Sequence, residues 1–238
     1  MIFKKATSNI FNTLYKGIPI KADARVHIAV KEALKAVIPP HKKYEVLDIA
    51  TGAGAFAQRL IDEFPNIFLD CNDLAHRKKL KNVKINFKKD LNANFNFNKK
   101  YDLIVAVEII EHLENPSHFI KKMKDHLKPN GIIILTTPSA NSFFDRIWFF
   151  VYGYHFYFGK QGILNSGGHI TVCFEWLLKY IAQNNNLIYE SIPNNINHYP
   201  LLGIKAKITL FVLSPLKSVI RNCNEESFLI CLLRNKVK

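Results

Sequence analysis

"YEVLDIATGAGAF", residues 44–56, is the stretch on which the fold turns. Its first half is a short apolar run of the kind that forms a strand buried on both faces, and "GAFAQRLIDEF" (54–64) has helical spacing. Gly52 and Gly54 fall between the two. Residues without a Cβ at such a point let the backbone turn tightly and approach a ligand closely.

Working outward, "DARVHIAVKEALKAVI" (23–38) has helical apolar spacing and runs into Pro39-Pro40, which stops it. Downstream, "NIFLDC" (66–71), "NVKINF" (82–87) and "YDLIVAV" (101–107) read as strands. "PSHFIKKMKDHL" (116–127) reads as a helix stopped by Lys128-Pro129-Asn130-Gly131, and "IIILTT" (132–137) as the fifth strand. "TVCFEWLLKYIAQN" (171–184) reads as a helix, and "NLIYESI" (186–192) and "SFLICLLRN" (227–235) as the last strands. Strands alternating with helices imply an α/β fold: a Rossmann-like, seven-stranded, mostly parallel sheet with helices on both faces. No repeat or linker divides the chain, so residues 1–238 read as a single domain. It has an N-terminal helical segment (1–40) and two insertions on the ligand side, 141–168 and 197–222. Ligands in such sheets sit beyond the carboxyl ends of the strands, which places the functional loops after residues 49, 71, 87, 107 and 136.

The formal charge of +14 is dispersed: residues 1–43 carry 9 Lys/Arg against 2 acids, and 74–100 carry 9 against 1. A dispersed excess favours anionic ligands or surfaces without locating a site. Cys71, Cys173, Cys223 and Cys231 lack any C-x-x-C pairing, which fits neither a zinc ribbon nor a disulfide framework. The first residues have no apolar stretch followed by a small-residue cleavage site. The most apolar window, "YPLLGIKAKITLFVLSPL" (199–216), is interrupted by Lys205 and Lys207. The expected location is the cytoplasm, with a peripheral position at a membrane left open.

Gly52-x-Gly54-x-x-Ala57 satisfies a dinucleotide fingerprint, which leaves a nicotinamide-dependent oxidoreductase as one reading. Asp48, four residues before Gly52, argues against it, because a carboxylate there repels a pyrophosphate and suits a cationic ligand. With Asp48, Ala50, Gly52 and Gly54, the loop resembles motif I of the class I S-adenosylmethionine-dependent methyltransferases, with Ala50 where the family usually has its first glycine. "YDLIVAVEIIEHLENP" (101–116) and "LKPNGIIILTTPSAN" (127–141) resemble the fourth-strand and fifth-strand signatures of the type 11/23-like members, among them quinone-pathway O-methyltransferases. The resemblance runs from about residue 40 to residue 190.

It implies S-adenosylmethionine as cofactor and methyl transfer to a small or lipid-like acceptor, with a hydroxyl oxygen as the expected target. It also implies that an acid after the second strand holds the ribose. Asp73, followed by Leu74, fits the family's arrangement better than Asp70. Asp90 and Leu91 after the third strand take the adenine positions, and Glu108 joins the cofactor side. For "E-x-x-E-H" three readings stand. His112, with His169 of "GGHIT", is a general base whose ordinary pKa lies near neutrality. Alternatively Glu108, Glu111, His112 and His169 bind a divalent metal, or the segment only shapes the pocket. A non-catalytic basic RNA- or membrane-binding module on the same fold is the remaining alternative.

Ten of the chain's 29 aromatic residues lie between Phe143 and Phe158, directly after the fifth strand. A membrane-spanning helix is excluded by length and by Asp145, Arg146 and His155. A nucleic-acid stacking platform is disfavoured, since only Arg146 and Lys160 lie nearby. The favoured reading is a cap over a flat or apolar acceptor. Trp148, Phe149 and Phe150 are the candidates for contact with a headgroup region, and 201–220 is a second apolar flap. No oligomeric state follows from the sequence.

Overall fold

The computed structural model describes residues 13–75, 80, 82–158, 168–197, 204–220 and 225–236. Seven strands form one sheet: β1 (Tyr44–Ile49), β2 (Ile67–Asn72), β3 (Val83–Phe87), β4 (Tyr101–Ala106), β5 (Leu127–Pro138), β6 (Leu187–Ser191) and β7 (Phe228–Asn235). Their order is β3-β2-β1-β4-β5-β7-β6. All neighbours are parallel except β7, which runs against β5 and β6. Strand β1 pairs with both β2 and β4, with Ile49 opposite Asn72 and Ala106, so three strand ends finish at one level. The chain reverses its winding across β1, and that is where an open α/β sheet forms its crevice.

Among the described residues the helices are α1 (Ala24–Val37), α2 (Ala55–Glu63), α3 (Pro116–Asp125), α4 (Phe143–Tyr152), α5 (Glu175–Asn184) and α6 (Ile204–Leu213). Successive side chains of a strand point to opposite faces, and the core divides accordingly. Leu47, Ile49, Ile104, Ala106, Ile133 and Leu135 pack with Phe119 and Met123 of α3 and Leu178 and Ile181 of α5. The residues between them, Val46, Leu103, Val105 and Ile134, pack with Val26 and Val30 of α1 and Phe56 and Leu60 of α2. Burial on both faces is why these strands read as unbroken apolar runs.

The elements end for identifiable reasons. Asp23 caps α1 by accepting from the N–H of Arg25 at 2.9 Å, and the Arg25 guanidinium returns to the same carboxylate. Ser142 caps α4 by accepting from Asp145 N at 3.1 Å, and Gly153, at φ +77°, closes it. Helix α3 stops at Asp125, and the predicted stop sequence Lys128-Pro129-Asn130-Gly131 lies inside β5. Helix α5 starts at Glu175 rather than at Thr171: Thr171 N is bonded to Glu111 O in the loop after β4, and Phe174, the cap residue, is extended. A short hairpin, Leu14–Tyr15 with Ile18–Pro19, precedes α1 and was not foreseen. Among the described cysteines, Cys71, Cys173 and Cys231 are buried and free, and Cys223 lies outside the described residues.

Candidate active site

The loop after β1 is left-handed at three residues: Ala50 (φ +54°), Gly52 (φ +59°) and Gly54 (φ +95°). At Gly54 the left-handed backbone favours glycine, and a Cβ there would also push aside the end of the Leu80 side chain, whose Cδ1 it would meet at 2.7 Å. Ala50 holds the strained conformation with its Cβ, a cost on the order of 1–2 kcal/mol that the surrounding loop must offset. Thr51 N donates to Asn72 O at 3.0 Å, and Gly52 N donates to the Asp73 carboxylate at 2.7 Å. The end of β2 therefore fixes the shape of the loop after β1.

The two candidate ribose acids are now distinct. Asp70 is fully buried and already engaged by Lys99 Nζ (2.7 Å), Tyr101 Oη (3.1 Å) and Ile85 N (3.1 Å). Asp73 stands at the strand end beside the Gly52 loop. Asn72, which drew no attention in the sequence, accepts from Lys89 N at 2.8 Å and donates to Lys89 O. It ties β2 to the loop carrying Asp90, which is exposed, and Leu91, which is buried. Neither of these two lines the main cavity.

That cavity, about 610 Å³, lies beyond the carboxyl ends of β1 and β4, where the topology places it. Asp48, Ala50, Gly52, Glu108, His112 and His169 line it together with residues the sequence reading missed, notably His27 and Tyr157. Asp48 is buried and its Oδ2 has no hydrogen-bond partner. Burial pushes its pKa up to about 7. His27 is also buried, with Nδ1 unpartnered and its ring edge-on to Phe56 at 4.9 Å. Burial lowers its pKa to about 4. The available signal was a histidine beside the apolar stripe Val26, Val30, Leu34, the stripe α1 turns to the sheet.

After β4 the chain makes a one-turn 3-10 helix, Ile110–His112. Glu108 enters it at φ +51°, and its carboxylate accepts from the Thr136 hydroxyl at 2.8 Å. Glu111 is fully buried, and neither of its carboxylate oxygens has a hydrogen-bond partner. Its backbone carbonyl accepts from Ile170 N and Thr171 N at 2.9 and 3.0 Å. This anchor returns His169 to the site: its Nε2 is 3.9 Å from Glu111 Oε1 and its ring is edge-on to His112 at 4.6 Å. His112 Nδ1 lies 3.2 Å from Gly168 O.

Burial raises Glu111 to about 8 and Glu108 well above its ordinary value, with Glu111 adding repulsion at Glu108. Burial lowers His112, and it lowers His169 to about 4 with help from His112. Both imidazoles are therefore neutral near pH 7. Ligand atoms of Glu111, His112 and His169 all lie within 4.8 Å of one another, which fits a divalent cation. Glu108, expected in the same set, is not in this cluster, because Thr136 holds its carboxylate.

The aromatic stretch forms α4 and a return segment. Asp145, buried in the first turn, accepts from Phe156 N at 2.8 Å and pairs with His155 Nδ1, folding residues 154–158 back toward the sheet. Tyr157 thereby enters the cavity wall, 6.1 Å from the His169 ring and 5.8 Å from Phe228. Trp148, expected at a headgroup region, is instead buried against Phe144, Ile147 and Leu210. Residues 159–167 of the first insertion lie outside the described residues, as do 198–203 and 221–222 of the second.

A reversed-winding parallel sheet, a glycine loop flanked by an acid, and a histidine-bearing turn after the fourth strand define the Rossmann-like methyltransferase class. The chain belongs to the methyltransferase domain family, which it matches over residues 23–187. It is 34% identical over 101 residues to a ubiquinone biosynthesis O-methyltransferase of Rickettsia canadensis (strain McKiel), covering 40% of this chain and 43% of that one. It is 28% identical over 153 residues to malonyl-[acyl-carrier protein] O-methyltransferase 2 of Ilyobacter polytropus, covering 61% and 58%. The matches thus span about half the length of these relatives. The plantazolicin methyltransferase BpumL, solved in complex with a pentazolic desmethylPZN analog and SAH, shares the fold. Its TM-score is 0.59 at 18% identity, covering 98% of this chain and 90% of that one.

Proposed function

We propose that this chain is an S-adenosylmethionine-dependent methyltransferase acting on an oxygen of a small or lipid-like acceptor. The observation that carries the reading is the neutral pair His112 and His169, beside a buried and unpartnered Glu111, on a cavity whose other wall is the Asp48–Gly54 loop. Both curated relatives are named as O-methyltransferases, which agrees with an oxygen acceptor. We read residues 1–238 as one domain, with 141–168 and 197–222 on the acceptor side.

When bound, S-adenosylmethionine supplies an activated methyl group, so alignment and proton removal are left to the protein. Asp48 faces the ligand's cationic portion, and the loop from Ala50 to Gly54 leaves room for its approach. Asp73 holds the ribose, Asp90 and Leu91 border the adenine, and Glu108 closes the side next to β5. His112 and His169 take the acceptor's proton, since lowered pKa values leave a lone pair free at neutral pH. Tyr157 and the folded-back aromatic segment keep water from the acceptor. In the alternative to that base role, Glu111, His112 and His169 would hold a divalent ion that would polarise the acceptor hydroxyl.

Calorimetry with S-adenosylhomocysteine and with NADH tests the class. Binding of the first and silence of the second is expected; the reverse makes the chain an oxidoreductase, and silence of both leaves a non-catalytic module. Transfer of labelled methyl to prenylated phenols, compared with malonyl thioesters, then separates the acceptor chemistries of the two relatives. The place of action we propose is the cytoplasm, at a membrane surface.

A further inference from the structure

The insertion after β5 buries one acid among its aromatic residues. Asp145, in the first turn of α4, is 3% exposed. Ser142 already caps that helix by accepting from Asp145 N, so the carboxylate is free for another task. A buried carboxylate is costly unless its oxygens are hydrogen-bonded, and both of these are. Oδ1 accepts from Phe156 N at 2.8 Å, and Oδ2 is paired with Nδ1 of His155. Both partners lie beyond the left-handed residue Gly153, so one side chain fastens α4 to the segment that returns toward the sheet. His155, the more exposed partner, has its ring 4.7 Å from that of Phe149 and 5.9 Å from that of Phe174. The two residues after this clasp face the site. Tyr157 and Phe158 are buried, with their rings 6.1 and 5.8 Å from that of His169. Tyr157 lines the cavity, and Asp145 does not.

We infer that Asp145 is a positioning residue for the acceptor, a role that deepens the methyl-transfer reading and rests on it for its effect on turnover. Through Phe156 N and His155 it sets Tyr157 and Phe158, and through them the wall against which His169 stands. Aromatic packing alone specifies such a wall poorly. Phe144, Trp148 and Phe156 meet one another in tilted and edge-on pairs, and rings of similar size can exchange such arrangements at small cost. A fully satisfied buried polar group selects one arrangement, because every other leaves the carboxylate without its partners. The selection matters at the site, where a misplacement of about 1 Å can cost on the order of 10²-fold in rate.

Asp145→Ala, Asp145→Asn and His155→Ala, made in the full chain, test the inference. Asparagine keeps an oxygen for Phe156 N and offers an N–H to the His155 ring, whose Nδ1 accepts in one neutral tautomer, so it should keep the clasp. In Asp145→Ala the amides of residues 154–158 should exchange with solvent about tenfold faster or more, while those of β1 and β4 keep their rates. Affinity for S-adenosylhomocysteine should stay within about threefold, and the KM for an oxygen acceptor should rise about tenfold. A merely structural role would lower kcat through loss of folded protein and leave that KM where it was. Asp145→Asn should bring exchange and KM back close to the parent's. His155→Ala, which leaves the Phe156 bond in place, should fall between, and it carries the same measurements if Asp145→Ala does not fold. In a Tyr157→Ala background the effect of Asp145→Ala on KM should vanish, as expected of a residue that acts through another. Exchange or KM unchanged in folded Asp145→Ala would overturn the inference, as would failure of asparagine to rescue or simple addition of the Asp145→Ala and Tyr157→Ala effects. A parent chain that binds S-adenosylhomocysteine yet methylates no acceptor would count against the methyl-transfer reading alone, and the exchange rates would then decide the clasp.

Discussion

The carboxylate of Asp73 accepts the backbone N–H of Gly52 at 2.7 Å, joining the loop after the first strand to the end of the second. Asp70, three residues earlier, is already engaged by Lys99, Tyr101 and Ile85. The two acids should therefore respond differently to mutation. Asp73→Ala should weaken S-adenosylhomocysteine binding about 10–100-fold, the range set by losing hydrogen bonds to a charged group, with a small fall in Tm. Asp70→Ala leaves Lys99 its second partner, Glu45, but removes the buried acceptor of Tyr101 Oη and Ile85 N and should cost about 1–3 kcal/mol of stability. Calorimetry and denaturant melts on the two variants check the contrast. Equal binding losses at equal stability would assign Asp70 a ligand role after all.

The sheet was legible because its strands are buried on both faces, so Val46 through Ile49 and Leu103 through Ala106 needed no decision about which side is apolar. Site residues at strand ends, Asp48, Gly52 and Glu108, followed from topology. The family resemblance favoured Asp73 over Asp70, but spacing alone adds nothing to that choice, since the acids lie three residues apart at one strand end; what distinguishes them physically is their hydrogen-bond partners. His27 and Tyr157 escaped because each reaches the cavity from an element remote in sequence, and each reads locally as core. Glu108 seemed equivalent to Glu111 in a repeated acid motif. The Thr136 hydroxyl that distinguishes them comes from the neighbouring strand.

Asp48 should make ligand affinity depend on pH. Burial holds its pKa near 7, and a cationic ligand group favours the ionised form. Affinity for S-adenosylhomocysteine, whose amino group is cationic, should rise with pH and level off above about 7. At one unit below that point binding should be about tenfold weaker, with uptake or release of one proton visible in buffers of different ionisation enthalpy. Asp48→Asn should flatten the profile. A profile that is already flat in the parent chain would remove Asp48 from the ligand site.

His112→Ala and His169→Ala should leave cofactor affinity within about threefold of the parent, while turnover with an oxygen acceptor falls about 10²–10⁴-fold, the usual contribution of a positioned base. The acid limb of the parent's rate profile should lie below pH 6.5, because both imidazoles are depressed and protonation disables them only at lower pH. Steady-state rates with labelled methyl donor provide the check. Unchanged turnover in both variants would dismiss the base and the metal together.

His27→Phe keeps a ring against Phe56 and removes the unpartnered Nδ1. If the nitrogen meets a bound ligand, affinity for S-adenosylhomocysteine should drop about tenfold while stability holds or rises by about 1 kcal/mol. A variant that binds as tightly as the parent would make His27 a core residue alone.

Glu111 gives the sharpest test of the metal reading, because its sign is fixed by burial. Its pKa is raised from 4.5 to about 8, so the stabilisation associated with its proton is complete below about pH 4.5 and is lost as pH rises through 8. His27 and His169 act oppositely: their contribution is present above their ordinary value of 6.5 and disappears as pH falls through about 4. Between pH 6.5 and 8.5, in chelator, Glu111→Gln should therefore be more stable than the parent by a margin that grows with pH, on the order of 3 kcal/mol at the alkaline end. Near pH 5 the two should be close. Adding Mg²⁺, Mn²⁺ or Zn²⁺ at pH 8 should raise the parent's Tm, since a cation replaces the proton on the carboxylate, and should leave the variant where it was. A metal-induced shift of equal size in both proteins would place the cation elsewhere. No shift in either would leave Glu111 as a protonated, uncharged neighbour whose part is to hold His169 in place.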